Sequence, residues 1–175
     1  MELCSSIMSQ QLSVKVARVF HQRFIDLLGT DDPHPSAISA IPYERLRSIG
    51  LSHAKATYVH NVAKFAVDEG MEIEKLNQMG DAELIEYFTR IKGVGRWTAE
   101  MLLMFTLGRE DVFAVDDLGI QHAMIRLYKL NNGDKKAMKT RMLKLSAKWA
   151  PYRTYACLHL WKWKDTVVTV AAVSQ

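Results

Sequence analysis

Apolar residues recur at three- and four-residue spacing along almost the whole 175-residue chain, with very few of the alternations that mark a strand, and this period commits it to helices. The fold class expected is therefore all-α. A short first helix runs toward Ser9, and a second follows Ser13 through Val16, Val19, Phe20, Phe24 and Leu27 until Gly29 stops it. Pro33 and Pro35 make Asp31 to Pro35 a turn, because proline lacks an amide donor and disfavours helix in the residue before it. Short helices over Ser36–Ala40 and Tyr43–Ile49 precede a longer one capped by Ser52 and ending near Gly70. Asp81 is expected to cap the next, and a helix–turn–helix follows around Gly93 and Gly95 before an apolar helix that runs toward Gly108. The short apolar run Val112–Val115 leads to Asp116-Asp117 and a helix over Leu118–Tyr128. A basic helix, Asp134–Trp149, and an aromatic-rich one, Tyr152–Trp163, complete the pattern.

A chain of this length buries a core as one compact unit or two small lobes. Its net charge of +4 permits contact with phosphates and does not by itself imply it. Cys4 and Cys157 are too few for a disulfide framework, a four-thiolate zinc site or an iron–sulfur cluster, and the histidines show no metal spacing, so no catalytic metal is expected. No apolar stretch reaches the roughly 18 residues that cross a bilayer, so no membrane partner is expected and a cytoplasmic location is. Met1 enters the amphipathic pattern almost at once without a leader, and the sequence leaves open whether residues upstream of it are missing.

Two local patterns carry chemistry. In Lys92-Gly93-Val94-Gly95-Arg96-Trp97-Thr98 the glycines allow a sharp turn and close approach of another molecule, and the helix that follows presents its unpaired amides and positive dipole end between Lys92 and Arg96. A DNA phosphate fits there, although Gly-x-Gly alone also fits a plain helix–helix turn. The adjacent carboxylates of Asp116 and Asp117 stand at a helix start, where one aspartate is enough to cap; the second adds repulsion that needs compensation or a purpose. A fixed carboxylate can stabilise the positive charge that builds on a sugar as an N-glycosidic bond breaks, and can orient the attacking water.

The run from Lys92 to Glu100, with Asp116-Asp117-Leu118-Gly119-Ile120 downstream, resembles the helix-hairpin-helix (HhH-GPD) DNA glycosylases, in their 3-methyladenine DNA glycosylase branch. The likeness extends to Ser9-Gln10-Gln11-Leu12-Ser13, to Gly50-Leu51-Ser52 with Lys55-Ala56, and to Pro151-Tyr152-Arg153 with Tyr155-Ala156 and Leu158-His159-Leu160-Trp161. It implies a two-lobed helical bundle: a terminal lobe of 1–22 plus 110–175, and a middle lobe of 23–109 carrying the helix-hairpin-helix at about 88–107. The active site is then expected in the cleft between the lobes. The resemblance assigns catalysis to Asp117, and to Gln11 the wedge that fills the space left by an extruded nucleotide. It places Trp97, Trp161, Met101 and Tyr155 around the base pocket, with Trp161 stacking on the base. It assigns DNA contact to Lys92, Gly93, Val94, Gly95, Arg96 and Thr98, with a sodium or potassium ion at the backbone carbonyls of Thr89, Ile91 and Val94 when DNA is bound. No other cofactor is expected.

Relatives that also cut the strand carry a lysine where Trp97 stands, and an indole cannot form their Schiff base. The expected activity is thus monofunctional: hydrolysis of alkylated bases from damaged double-stranded DNA by a monomer, leaving an abasic site. An electron-rich indole such as that of Trp161 favours a cationic alkylated purine by roughly 0.5–2 kcal/mol. The residues leave open which alkylated or deaminated base is preferred, and the alternatives are a noncatalytic binder of DNA structure or a glycosylase for another lesion. The lysines of the 134–149 helix are read as a solvated face that adds nonspecific attraction to DNA.

Overall fold

The computed structural model describes the backbone of residues 1–173 and the side chains of residues 1–166. It is all-helical, with 69% helix and no strand among the described residues. The chain divides into two compact units, Met1–Leu102 and Leu103–Gln175.

In the first unit, α1 (Glu2–Ser9) packs on α2 (Val14–Leu28) and on α5 (His53–Glu69). Two short helices, α3 (Pro35–Ser39) and α4 (Tyr43–Ser48), also pack on α5, which is the spine of the unit. Local signals set the boundaries as the sequence indicates. Ser13 and Ser52 cap α2 and α5 by accepting from the Val16 and Lys55 amides, and Gly29 closes α2 in the left-handed conformation at φ +75°. The short α6 (Ile73–Asn77) has too few residues to show a period and was not anticipated from it. In α7 (Asp81–Thr89), Gly80 holds the capping position and Asp81 is the first helical residue, so the helix begins one residue earlier than expected. Its carboxylate there favours the positive helix end without capping it. Leu3, Ile7, Met8, Phe24, Leu46, Leu51, Leu84 and Phe88 are buried, each contributing about 1.5–3 kcal/mol through the apolar surface it removes from water.

The boundary between the units falls inside α8 (Arg96–Phe105). In the second unit, α9 (Leu118–Tyr128) begins and ends where the period places it and packs on α11 (Arg153–Val173). The basic segment is shorter than expected as α-helix: α10 (Lys135–Ser146) gives way to a 3₁₀ turn over Ala147–Trp149. The run before α9 is tied to α11 by Thr154, whose hydroxyl accepts from the Val112 amide at 3.0 Å and donates to the Arg109 carbonyl at 2.7 Å. Leu103, Ile120, Met124, Met142 and Cys157 form the buried interior of this unit.

Candidate functional site

The hairpin between α7 and α8 is closed by its own backbone. The Ile91 amide donates to Phe88 O at 3.0 Å and the Val94 amide to Ile91 O at 2.9 Å, while Asn61 of α5 donates its side-chain amide to Lys92 O at 3.0 Å. The two glycines have different tasks. Gly93 stands at φ +108°, and a Cβ there would lie 2.2 Å from the ring of Tyr58, so this glycine lets the hairpin lie against α5. A Cβ on Gly95 would meet nothing within 4 Å, and its carbonyl accepts the first helical bond of α8 from Ala99 at 3.0 Å. Gly95 thus leaves the start of α8 open to approach.

Lys92, Gly95, Arg96 and Trp97 are exposed around this helix start, whereas Val94 and Thr98 are buried. Val94, in the expected set of DNA contacts, has a buried side chain, and its amide is used inside the turn. The side chain of Thr98 is likewise buried. Arg96 has a second task, since its Nε donates at 2.8 Å to the carboxylate of Glu100, which is 1% exposed. That contact compensates a carboxylate removed from water.

Gln11 lies in the turn after α1 and adopts φ +58°, a left-handed conformation that costs a non-glycine residue about 1–3 kcal/mol unless its surroundings fix it. The fixing group is Lys55 of α5. Its ammonium donates to Met8 O and Gln10 O, both at 2.8 Å, and so satisfies carbonyls at the end of α1 that no helical amide reaches. Burial lowers the Lys55 pKa below the ordinary lysine value. Gln11 and Trp97, assigned to different tasks on the sequence, together with Ser6, Ser9, Gln10 and Leu12 line one recess of about 460 Å³. Met101 follows one turn after Trp97 on α8, half-buried, and so shares its helix face.

The carboxylate pair is resolved by its neighbours. Asp117 caps α9: its Oδ1 accepts from the Ile120 amide at 2.8 Å and, at the same distance, from the indole Nε1–H of Trp161 on α11. Two donors on one oxygen set the rotation of the carboxylate. The approach depends on Gly119, where a Cβ would lie 3.0 Å from both Asp117 Oδ1 and Trp161 Cδ1. Asp116 is paired with Lys139 of α10 at 2.5 Å, which is the compensation that two adjacent aspartates call for. Trp161 is half-buried, and the exposed ring of Phe105 stacks with it at 6.0 Å between centroids and 27° between planes. Tyr155 is directed to other partners: its hydroxyl donates to Glu110 at 2.7 Å, a bond that raises its pKa, and its ring lies 6.2 Å from that of Tyr152.

Residues 4–148 match the HhH-GPD superfamily of base excision DNA repair proteins. The chain belongs to this superfamily. A DNA-3-methyladenine glycosidase of Bacillus halodurans is 38% identical in its crystal structure, with a TM-score of 0.84 over 95% of this chain and 76% of that one. The 3-methyladenine DNA glycosylase of Schizosaccharomyces pombe, solved in complex with abasic DNA, is 36% identical, with a TM-score of 0.79 over 92% of this chain and 78% of that one. A Bacillus subtilis relative, 33% identical over 162 residues, is matched over 89% of this chain, which spans 55% of that relative's length.

Several residues of this HhH-GPD chain escaped the sequence reading. Gly119 had a signal, since a glycine just inside a helix is a poor helix former and asks for a reason. Phe105 had none beyond being one more aromatic in an apolar helix. Lys55 lay within a stretch of likeness, but its partners are carbonyls 45 and 47 positions away, which no spacing rule reaches.

Proposed function

We propose that this HhH-GPD chain is a monofunctional DNA glycosylase that acts as a monomer on damaged double-stranded DNA and hydrolyses the N-glycosidic bond of alkylated bases of the 3-methyladenine type. The observation that carries the reading is the carboxylate of Asp117, held at the start of α9 by the Ile120 amide and the Trp161 indole. The names of the Bacillus halodurans and Schizosaccharomyces pombe relatives support the substrate class.

In this mechanism the damaged nucleotide leaves the stack and Gln11 enters the space it vacates. The C1′–N bond breaks with its electron pair leaving on the base, positive charge builds on the sugar, and Asp117 stabilises that charge while orienting the water whose oxygen bonds to C1′. The water's proton passes to Asp117 or to solvent, and the products are free base and an abasic site. An alkylated purine already carries a positive charge, so its departure needs no strong general acid. Trp97 supplies no amine, so the reaction stops without a Schiff base or strand cleavage.

The phosphate grip consists of the open Gly95 and the first-turn amides of α8, with Lys92 and Arg96 beside them. Trp161 with Phe105, and Trp97 with Met101, supply the aromatic and apolar surface for the base; Tyr155, engaged by Glu110, contributes least. A sodium or potassium ion at the carbonyls of Thr89, Ile91 and Val94 fits one observation, for the Ile91 oxygen already accepts the Val94 amide and a carbonyl has a second lone pair.

The test is release of free bases from methylated duplex DNA by the wild-type chain and by Asp117→Asn, with strand breaks scored before and after alkali. Asparagine still caps a helix, so the variant is expected to fold and bind DNA while its rate falls about 10²–10⁴-fold, with breaks appearing only after alkali. Absence of release by a folded, DNA-binding wild type would reject the reading in favour of a noncatalytic binder or another lesion.

A further inference from the structure

Helix α5 touches both parts of the first unit that the proposed function assigns to DNA. At one point along it, Lys55 donates to the Met8 and Gln10 carbonyls and secures the turn in which Gln11 takes φ +58°. One and two turns further on, Tyr58 fills the place that a Cβ on Gly93 would need, and Asn61 donates to the Lys92 carbonyl. Residues 55, 58 and 61 follow at intervals of three, so about 9 Å of helix rise separates the first from the last. A helix is stiff along its axis, whereas a turn with one residue in the left-handed region is not. The ammonium also has no role in the core that a methionine of similar length would not fill. What it supplies is two charge-assisted bonds to carbonyls at the end of α1, immediately before the wedge.

We propose that Lys55 is a positioning residue for nucleotide extrusion: by fixing the turn that bears Gln11, on the same helix that fixes the hairpin, it sets the span between wedge and phosphate grip. The proposal rests on the reading of Gln11 as the wedge. Lys55 itself touches no reacting atom and acts through Gln11.

The experiment uses the full chain as wild type, Lys55→Met, Lys55→Arg, Gln11→Ala and the double variant Gln11→Ala/Lys55→Met. Single-turnover base release from methylated duplex is measured at saturating enzyme, alongside affinity for the undamaged duplex and amide exchange of residues 9–13. Lys55→Met is expected to release bases about tenfold more slowly, with faster exchange at 9–13. Its affinity for undamaged duplex stays within about twofold, because the hairpin amides are untouched. Lys55→Arg recovers part of the rate. Because Lys55 acts through Gln11, the double variant is no slower than Gln11→Ala alone, within about twofold.

Independent, multiplying effects of the two substitutions, or a Lys55→Met rate and exchange pattern matching wild type, would overturn the proposal. If Lys55→Met does not fold, Lys55→Gln, which loses the charge and is one atom shorter but keeps two N–H donors, takes its place with the same reading. A wild type that releases no base would sink the glycosylase reading instead. The exchange measurement would still report whether Lys55 holds the turn.

Discussion

In Met1–Leu102 the residues assigned to DNA are held mainly through the main chain: the Gln11 turn by two carbonyls on Lys55, the hairpin by its own amides and by a carbonyl on Asn61. In Leu103–Gln175 acidic side chains are held by other side chains, with Trp161 on Asp117, the residue assigned to catalysis, Lys139 on Asp116 and Arg153 on Asp111. The first arrangement tolerates changes of side chain so long as the backbone path survives. The second depends on the identity of each partner. The clearest contrast is between two glycines: Gly93 in the first unit is expected to show in stability, and Gly119 beside Asp117 in the second to show in rate.

The largest stability effect is expected at Gly93. Alanine there must adopt φ +108° and displace the Tyr58 ring, which should cost about 2–4 kcal/mol in chemical denaturation. Gly95→Ala meets no neighbour and should stay within about 1 kcal/mol of wild type while weakening duplex binding. Equal losses at the two positions would break the distinction between the glycine that serves the fold and the one that faces the ligand.

That distinction was not legible in the sequence. The Gly-x-Gly pattern announced a turn before a helix and gave both glycines the same purpose, because Tyr58 becomes a neighbour only after α5 has packed. Local signals did carry most of the fold: the Ser52 cap, the start of α2 after Ser13, the cap within the Asp116-Asp117 pair and the Gly29 stop stand where their chemistry placed them. Membership of the motif did not reveal that the Val94 and Thr98 side chains are buried, because it does not say which way a side chain points. The Asp117–Trp161 bond was hidden for a different reason: its residues lie 44 positions apart, and the resemblance had committed the indole to stacking on the base.

Gly119→Ala sharpens the comparison from the other unit. A Cβ there presses on Asp117 Oδ1 and on the Trp161 ring, so base release is expected to fall about tenfold. Alanine's better helix propensity, about 1 kcal/mol, offsets part of the contact cost in stability. A loss in stability with full activity would mean that the indole is dispensable to the acid.

The smallest effect is expected at Arg153. Its guanidinium bonds both oxygens of Asp111, at 2.7 and 2.9 Å, and holds that carboxyl below its ordinary value near 3.8. With the folded value depressed, the pair's contribution is complete above the ordinary value and is lost as pH falls through the folded one. Denaturation followed between pH 6 and 3 should therefore show a shallower acid loss in Arg153→Met than in wild type, with base release near neutrality almost unchanged. Parallel acid profiles would remove this pair from the side-chain scaffold of the second unit.

The contact between Gly93 and Tyr58 also bears on how such a chain can drift. Position 93 is closed twice over, by the bulk of the ring and by the sign of its φ angle, and the two obstacles are independent. Trimming Tyr58 would make room for a methyl group without making the backbone conformation any easier for it. No single compensating change elsewhere can reopen the position, so a lineage that loses this glycine must regain it by reversion or rebuild the whole turn.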